Sequence, residues 1–245
     1  KSFCKLYKKS ISAKILPLGS FKSNLIKINK TVKKNSILFI SSGYPGGDDG
    51  GGQGKYYEFY KSVKIERKIF HKPDEILFKN ISDYCEKNQI NLEFISRARG
   101  YHSKREIEYF KKLIKNKNII YHYRPYEYID HKYKIYSFSD KYLACVSTHS
   151  SIGIENLARG NRTAIFNNKI KITKNLFDIF WNYKLSNRGI FWSESVNYDE
   201  VNRVLNFVTK SKNQEWKKKS QSVSNMLMNY NKNNNKFLKI INYNS

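Results

Sequence analysis

The chain has 245 residues, of which 40% are hydrophobic, 15% aromatic and 27% charged. That length holds one large domain or two small ones with a real core, and the composition excludes a disordered polypeptide. Lys and Arg outnumber Asp and Glu 46 to 20, a formal charge of +26 that suits nucleic acid, an anionic membrane surface or a phosphorylated ligand.

A compositional origin competes with a partner for this charge. Lys, Asn, Ile, Tyr and Phe are raised together, as in AT-rich coding, and the lysines run from Lys1 to Lys239 without gathering on one element. Cys4, Cys85 and Cys145 are far apart and form no CxxC or Cys/His cluster. Cys85 and Cys145 sit in apolar stretches as reduced core thiols, which fits a cytoplasmic setting. No apolar run approaches the ~18 residues of a membrane span, and no signal peptide is visible. The chain begins at Lys1 rather than a methionine, so a piece of a longer protein is expected.

In chain order, "ILPLG" (15–19) reads as a strand ending in glycine, and "SILFISSG" (36–43) as a buried strand with a small-residue turn. Residues 42–55 hold seven glycines in fourteen positions, which predicts a mobile loop or lid. Pro73 and Asp74 mark a helix start over 73–88, with Ile76, Leu77, Ile81, Tyr84 and Cys85 on one face. "INLEFISR" (90–97) is the next strand. A helix over 103–116 turns Ile107, Phe110, Leu113 and Ile114 one way and its charges the other.

Strands follow at 118–122, 142–147 and 163–167, with a helix from about 150 to 159. Two C-terminal helices are predicted over 198–211 and 214–230. Val201, Val204, Leu205 and Val208 form one apolar stripe, and Trp216, Val223, Leu227 and Tyr230 the other. "NKNNNK" (231–236) is expected to fray. Short strands alternating with helices predict an α/β protein with a doubly wound, Rossmann-like parallel sheet. The expected organisation is an extension at 1–13, one domain at 14–230 and a polar tail at 231–245.

Ligands of such sheets bind beyond the carboxyl ends of the strands. Small or hydroxylated residues stand at four of these ends: Gly19-Ser20, Ser41-Ser42-Gly43, Ser96-Arg97 and Ser147-Thr148. The last continues into "STHSSIGIE" (147–155). Ser150 and Ser151 fall where a helix begins, so hydroxyls and first-turn amides can meet a phosphate. Gly153 permits close approach of a ligand or a neighbouring backbone, and Glu155 can accept from a sugar or ribose diol. The competing reading is plain capping by Ser150 or Ser151, with Glu155 as a surface charge.

"STHSSIGIENLARGNRTAIFN" (147–167) resembles the signature of GT-B glycosyltransferases that build bacterial surface polysaccharides, CMP-Kdo-type transferases among them. Residues 15–24, 81–110, 190–208 and 215–220 resemble flanking segments of that family. The resemblance covers most of 14–220, about one Rossmann-like half of a two-domain enzyme, and the 46–54 insertion is foreign to it. It implies a C-terminal donor-binding domain for a nucleotide sugar, CMP- or UDP-linked. Ser150 and Ser151 then contact the donor phosphate and Glu155 holds a sugar or ribose hydroxyl, with Ser147, Thr148, Gly153 and the Gly19-Ser20 turn also among the donor-binding residues. Arg97, with Arg99 as the alternative, neutralises phosphate charge. Tyr123 and Arg124 face the base, unless they are ordinary surface residues. The implied acceptor is a glycan or lipid-linked glycan, met at the inner face of an anionic membrane.

No catalytic base stands out; Asp140 is a weak candidate. There is no Asp-x-Asp, no HExxH, no GxxxxGK[ST] and no GxGxxG, so neither a metal nor a resident cofactor is expected. Two rivals remain: a basic nucleic-acid-binding domain, although no RRM, KH or helix-turn-helix pattern is present, and a nucleotide- or sugar-phosphate-binding module without catalysis.

Overall fold

The computed structural model describes residues 18–29, 34–46, 55–59, 63–114, 118–124, 134–173 and 185–243. The expected strand at 15–18 lies almost wholly outside these residues, as does the 47–54 part of the glycine-rich loop. In chain order the described elements are α1 (Phe21–Leu25), β1 (Lys34–Ile40), β2 (Tyr56–Phe59), β3 (Val63–Glu66), α2 (Arg67–Lys87), β4 (Asn91–Ile95), α3 (Gly100–Leu113) and β5 (Ile120–His122). Then come α4 (Lys134–Ser139), β6 (Tyr142–Ser147), α5 (Ser151–Ala158), β7 (Thr163–Phe166), β8 (Trp192–Ser193), α6 (Tyr198–Lys210), α7 (Asn213–Leu227) and α8 (Asn235–Tyr243).

Six strands form one sheet in the order β5-β4-β1-β6-β7-β8, and every ladder in it is parallel. Because parallel neighbours need crossovers, the helices must cover the faces, and the strands read as buried runs. Ile37 and Phe39 of β1 point to one face with Leu92, Phe94, Ala144 and Val146, where Leu77, Phe78 and Ile81 of α2, Phe110 of α3 and the Val201–Val208 stripe of α6 complete the core. Leu38 and Ile40 point to the other face with Ile95 and Cys145, beneath Ile135 and Phe138 of α4 and Ile152 of α5. The alternation is the period-2 pleat.

Glu93 sits between Leu92 and Phe94 yet is only 2% exposed. Tyr142 donates to its Oε2 at 2.6 Å and Lys34 to its Oε1 at 3.4 Å, while His122 Nε2 lies 2.7 Å from Oε2. Burial pushes its pKa up, but these partners outweigh burial and hold it below the ordinary value.

Four expectations change. The helix expected to start at Pro73 begins at Arg67 and carries Pro73 inside it. Arg67, Phe70 and His71 are buried there, with Tyr57 of β2 meeting Phe70 edge to face and lying beneath the Arg67 guanidinium; that packing overrides the proline. On the same helix Ile76 is 40% exposed and Phe78 takes the core place expected of it. Glu106 of α3, expected among the solvent charges, is fully buried. The 231–236 stretch is a 3₁₀ turn at Lys232–Asn234 running into α8, and it is tied down where Asn24 Nδ2 donates to Asn234 Oδ1 at 2.8 Å. The β2–β3 hairpin and the short β8 have no counterpart among the expected elements.

Candidate functional site

Renumbered within the sheet alone, the strand order is 3-2-1-4-5-6. Its direction reverses between β1 and β6, and the crevice at that reversal is where sheets of this type bind ligands. β1 ends in Ser41-Ser42-Gly43 and β6 in Ser147-Thr148, both buried. β4 is the other neighbour of β1 and ends in Ser96-Arg97. At about 4.8 Å per strand, the ends of β4 and β6 lie about 10 Å apart across β1.

The β6–α5 loop is held by its own groups. Ser150 is the N-cap of α5: its Oγ accepts from Ile152 N at 3.4 Å and its carbonyl from Gly153 N at 3.0 Å. The capping reading is therefore realised for Ser150. Ser147 Oγ donates to the Ser150 carbonyl at 3.5 Å. Ser151 opens the helix with an exposed side chain. Thr148 Oγ1 is buried and has no hydrogen-bond partner among the described residues.

At Gly153 the close approach is made by Ser147, at the end of β6. A Cβ built on the glycine would stand 2.7 Å from both Cβ and Oγ of Ser147, closer than real Cβ atoms come. The glycine lets α5 lie directly on the end of β6.

Glu155 is only 7% exposed, so it is not the free surface charge of the capping reading. Ser20 Oγ donates to its Oε1 at 2.5 Å and Tyr136 Oη to its Oε2 at 2.9 Å. Burial, then the Glu155 carboxylate beside it, pushes the Tyr136 phenol above its ordinary range. Ser20 also caps α1, accepting from Ser23 N. The structure thus brings the Gly19-Ser20 turn onto the signature helix. Gly19 has a φ of +75° and a Cβ position 1.9 Å from the Asn229 carbonyl oxygen, so it faces the C-terminal segment.

Arg97 is exposed and spends one N–H on the Ser42 carbonyl at 2.8 Å, which leaves most of its fork toward solvent at the end of β4. Arg124 is half-buried at the end of β5. Its Nη1 donates to the Ser96 and Arg97 carbonyls at 3.4 and 3.2 Å, and its carbonyl accepts from Gly100 N at 2.6 Å. These bonds tie β5 to the β4 end and the start of α3. Burial, and then the neighbouring Arg99, lowers the Arg124 pKa. Arg99 precedes α3 half-buried. Tyr123 is 45% exposed, with the Lys104 ammonium 5.7 Å from its ring centroid.

Asp140 is unsuited to act as a base. Its carboxylate accepts from Arg159 Nε and Nη2 at 3.2 and 2.6 Å, from Asn161 at 2.7 Å and from Asn29 N at 2.8 Å, with no exposure. Four donors fill its lone pairs.

A buried polar network under the β1 end went unread in the sequence. Lys169 Nζ lies 2.6 Å from Asp74 Oδ2 and donates to Ser42 Oγ at 2.8 Å, while Ser42 Oγ donates to Asp74 Oδ2 at 2.8 Å. Asn168 donates to Asp74 Oδ1 at 2.9 Å, and His71 Nδ1 stands 3.3 Å from Oδ2. Beside it Glu106 accepts from Ser41 Oγ at 2.5 Å, from Ala98 N at 3.0 Å and from Ser96 Oγ. These carboxylates fix the strand-end serines, and Ser42 in turn carries Arg97. Among the described residues no group of three or more His, Cys, Asp and Glu side chains could hold a metal ion, and no helix is long and apolar enough to cross a membrane.

No curated protein matches the sequence. A solved structure described as a "putative UDP-N-acetylglucosamine 2-epimerase from Listeria monocytogenes" is 11% identical and aligns with a TM-score of 0.52 over 98% of this chain and 56% of its own. Another, described as "Crystal Structure of TarM", is 13% identical, with a TM-score of 0.45 over 89% of this chain and 37% of its own. The chain thus spans just over half the length of the first. The likeness is one of fold: a six-stranded parallel sheet with C-terminal helices, resembling one half of a GT-B protein. A family model described as "putative O-antigen biosynthesis protein" matches residues 1–245.

Proposed function

The chain belongs to that O-antigen biosynthesis family, and from this premise we propose that it is the donor-binding part of a glycosyltransferase acting on a surface polysaccharide or its lipid-linked precursor. The observation that carries the reading is the reversal of strand order between β1 and β6, with buried Ser42 and Ser147-Thr148 at the two strand ends. The donor is a nucleotide sugar, CMP- or UDP-linked.

In this reading the phosphate lies across the β1 end, between Arg97 and the first turn of α5. Ser151, the Thr148 hydroxyl and the start of α5 face it from one side, and the Arg97 guanidinium from the other. Charge developing on the leaving phosphate is stabilised by groups already in place, which lowers the barrier to breaking the bond to the sugar without requiring a metal ion. Glu155 keeps acceptor capacity for a hydroxyl pair. A carboxylate has about four lone-pair sites, and Ser20 and Tyr136 occupy two.

The test is calorimetry of the full chain with CMP and with UDP, with and without Mg²⁺. Binding is expected without metal and weakened by about 1–3 kcal/mol in Arg97→Ala and in Ser151→Ala. Unchanged affinity in both variants, or binding only with Mg²⁺, refutes the reading.

A further inference from the structure

Away from the crevice, α1 and α8 leave large apolar side chains in water. Phe21 and Leu25 are 44% and 54% exposed, and Leu238 and Ile241 are 47% and 46% exposed. The rings of Phe21 and Phe237 meet edge to face with centroids 5.0 Å apart, so the two helices present one strip rather than scattered contacts. The strip is fixed in place: Asn234 Nδ2 donates to the Phe21 carbonyl at 3.2 Å, and Tyr230 Oη to the Ile26 carbonyl at 3.0 Å.

The surroundings are basic. Lys22, Lys27, Lys232, Lys236 and Lys239 are exposed on these same segments. Residues 18–29 and 216–243 contain no Asp or Glu at all. On α8, Phe237, Leu238 and Ile241 share one arc at i, i+1 and i+4, whereas Lys236 and Lys239 fall on the other. A second copy of the chain is a poor occupant, since two such strips would oppose lysine to lysine with no carboxylate in either segment to neutralise them.

We infer that this strip is a docking surface for an anionic lipid bilayer. α8 lies in the plane of the interface with its apolar arc among the acyl chains, and the lysines reach up to lipid phosphates. The inference goes beyond the donor site and stands or falls apart from it.

Flotation of the full chain with phosphatidylcholine vesicles, with and without phosphatidylglycerol, tests it. Partition is expected only with the anionic lipid. Leu238→Ser/Ile241→Ser on α8, and independently Leu25→Ser on α1, are expected to lower it about tenfold or more at physiological salt. Lys236→Glu/Lys239→Glu should lower it as well, with melting temperature and CMP affinity as in the parent. Two results overturn the inference. Vesicle binding unchanged in the serine variants shows adsorption by net charge alone. A parent dimer in sedimentation that the serine variants dissociate shows that the strip is covered by a second copy.

Discussion

Gly153 and Ser147 touch so closely that no side chain fits between them: a Cβ on the glycine would lie 2.7 Å from the Cβ of the serine. The helix carrying Glu155 is thereby seated on the strand carrying Ser147 and Thr148. Gly153→Val must push α5 off β6. Overpacking of this kind costs about 1–3 kcal/mol, more than the few tenths that valine gains over glycine in helix propensity. Urea denaturation should show the loss. Ser147→Gly removes both offending atoms, so Gly153→Ala combined with Ser147→Gly should lose less than the sum of the two single variants.

Thr148 sits in the same loop with a hydroxyl that has no partner among the described residues. Thr148→Val keeps the shape and deletes the hydroxyl. Replacing an unsatisfied buried polar atom is neutral or stabilising, by up to about 1 kcal/mol. If the hydroxyl serves the donor phosphate, the same variant binds CMP or UDP more weakly while melting no lower. A lower melting temperature with unchanged nucleotide affinity contradicts both halves of the prediction.

The sheet was legible because its central strands are short apolar runs between helical patterns. Thr163–Phe166 and Tyr142–Ser147 stand where the sequence places them, within a residue. The two residues of β8 and the β2–β3 hairpin carry too little pattern to be read, and the start of α2 was hidden because tertiary packing outweighs Pro73. The site was half legible. Hydroxyls at strand ends are visible as residue types, but Tyr136 reaches Glu155 only through the fold. Lys169 is one lysine among many in sequence, and only its complete burial against Asp74 sets it apart.

That buried pair makes stability depend on acid. Burial pushes the Asp74 carboxyl up, but the Lys169 ammonium and His71 outweigh it and hold the pKa far below the carboxylate range. The folded pKa is thus depressed. The stabilisation is fully present above the unfolded pKa, near 4, and is lost as pH falls below it toward the folded value. Unfolding free energy measured from pH 7 to pH 3 should drop with a component that disappears in Asp74→Asn/Lys169→Met. Lys169→Met alone leaves a buried carboxylate without its cation, a loss of about 3–5 kcal/mol. A flat profile in the parent would refute the assignment.

Glu155 allows the donor reading and a purely structural one to be separated. Its carboxylate accepts from Ser20 and Tyr136, so Glu155→Gln weakens two charge-assisted bonds and should cost about 1–3 kcal/mol of stability under either reading. Stability alone therefore does not discriminate. The remaining acceptor sites do, because a ribose offers two hydroxyls and a 2′-deoxyribose one. If Glu155 holds the diol, the parent should prefer CMP to dCMP by about tenfold, or about 1.4 kcal/mol. Glu155→Gln should erase most of that preference while dCMP affinity changes little. Ser20→Ala should keep the preference, since it removes a neighbour of the carboxylate and not the carboxylate. Equal affinity of the parent for CMP and dCMP would confine Glu155 to tying the Ser20 turn to α5.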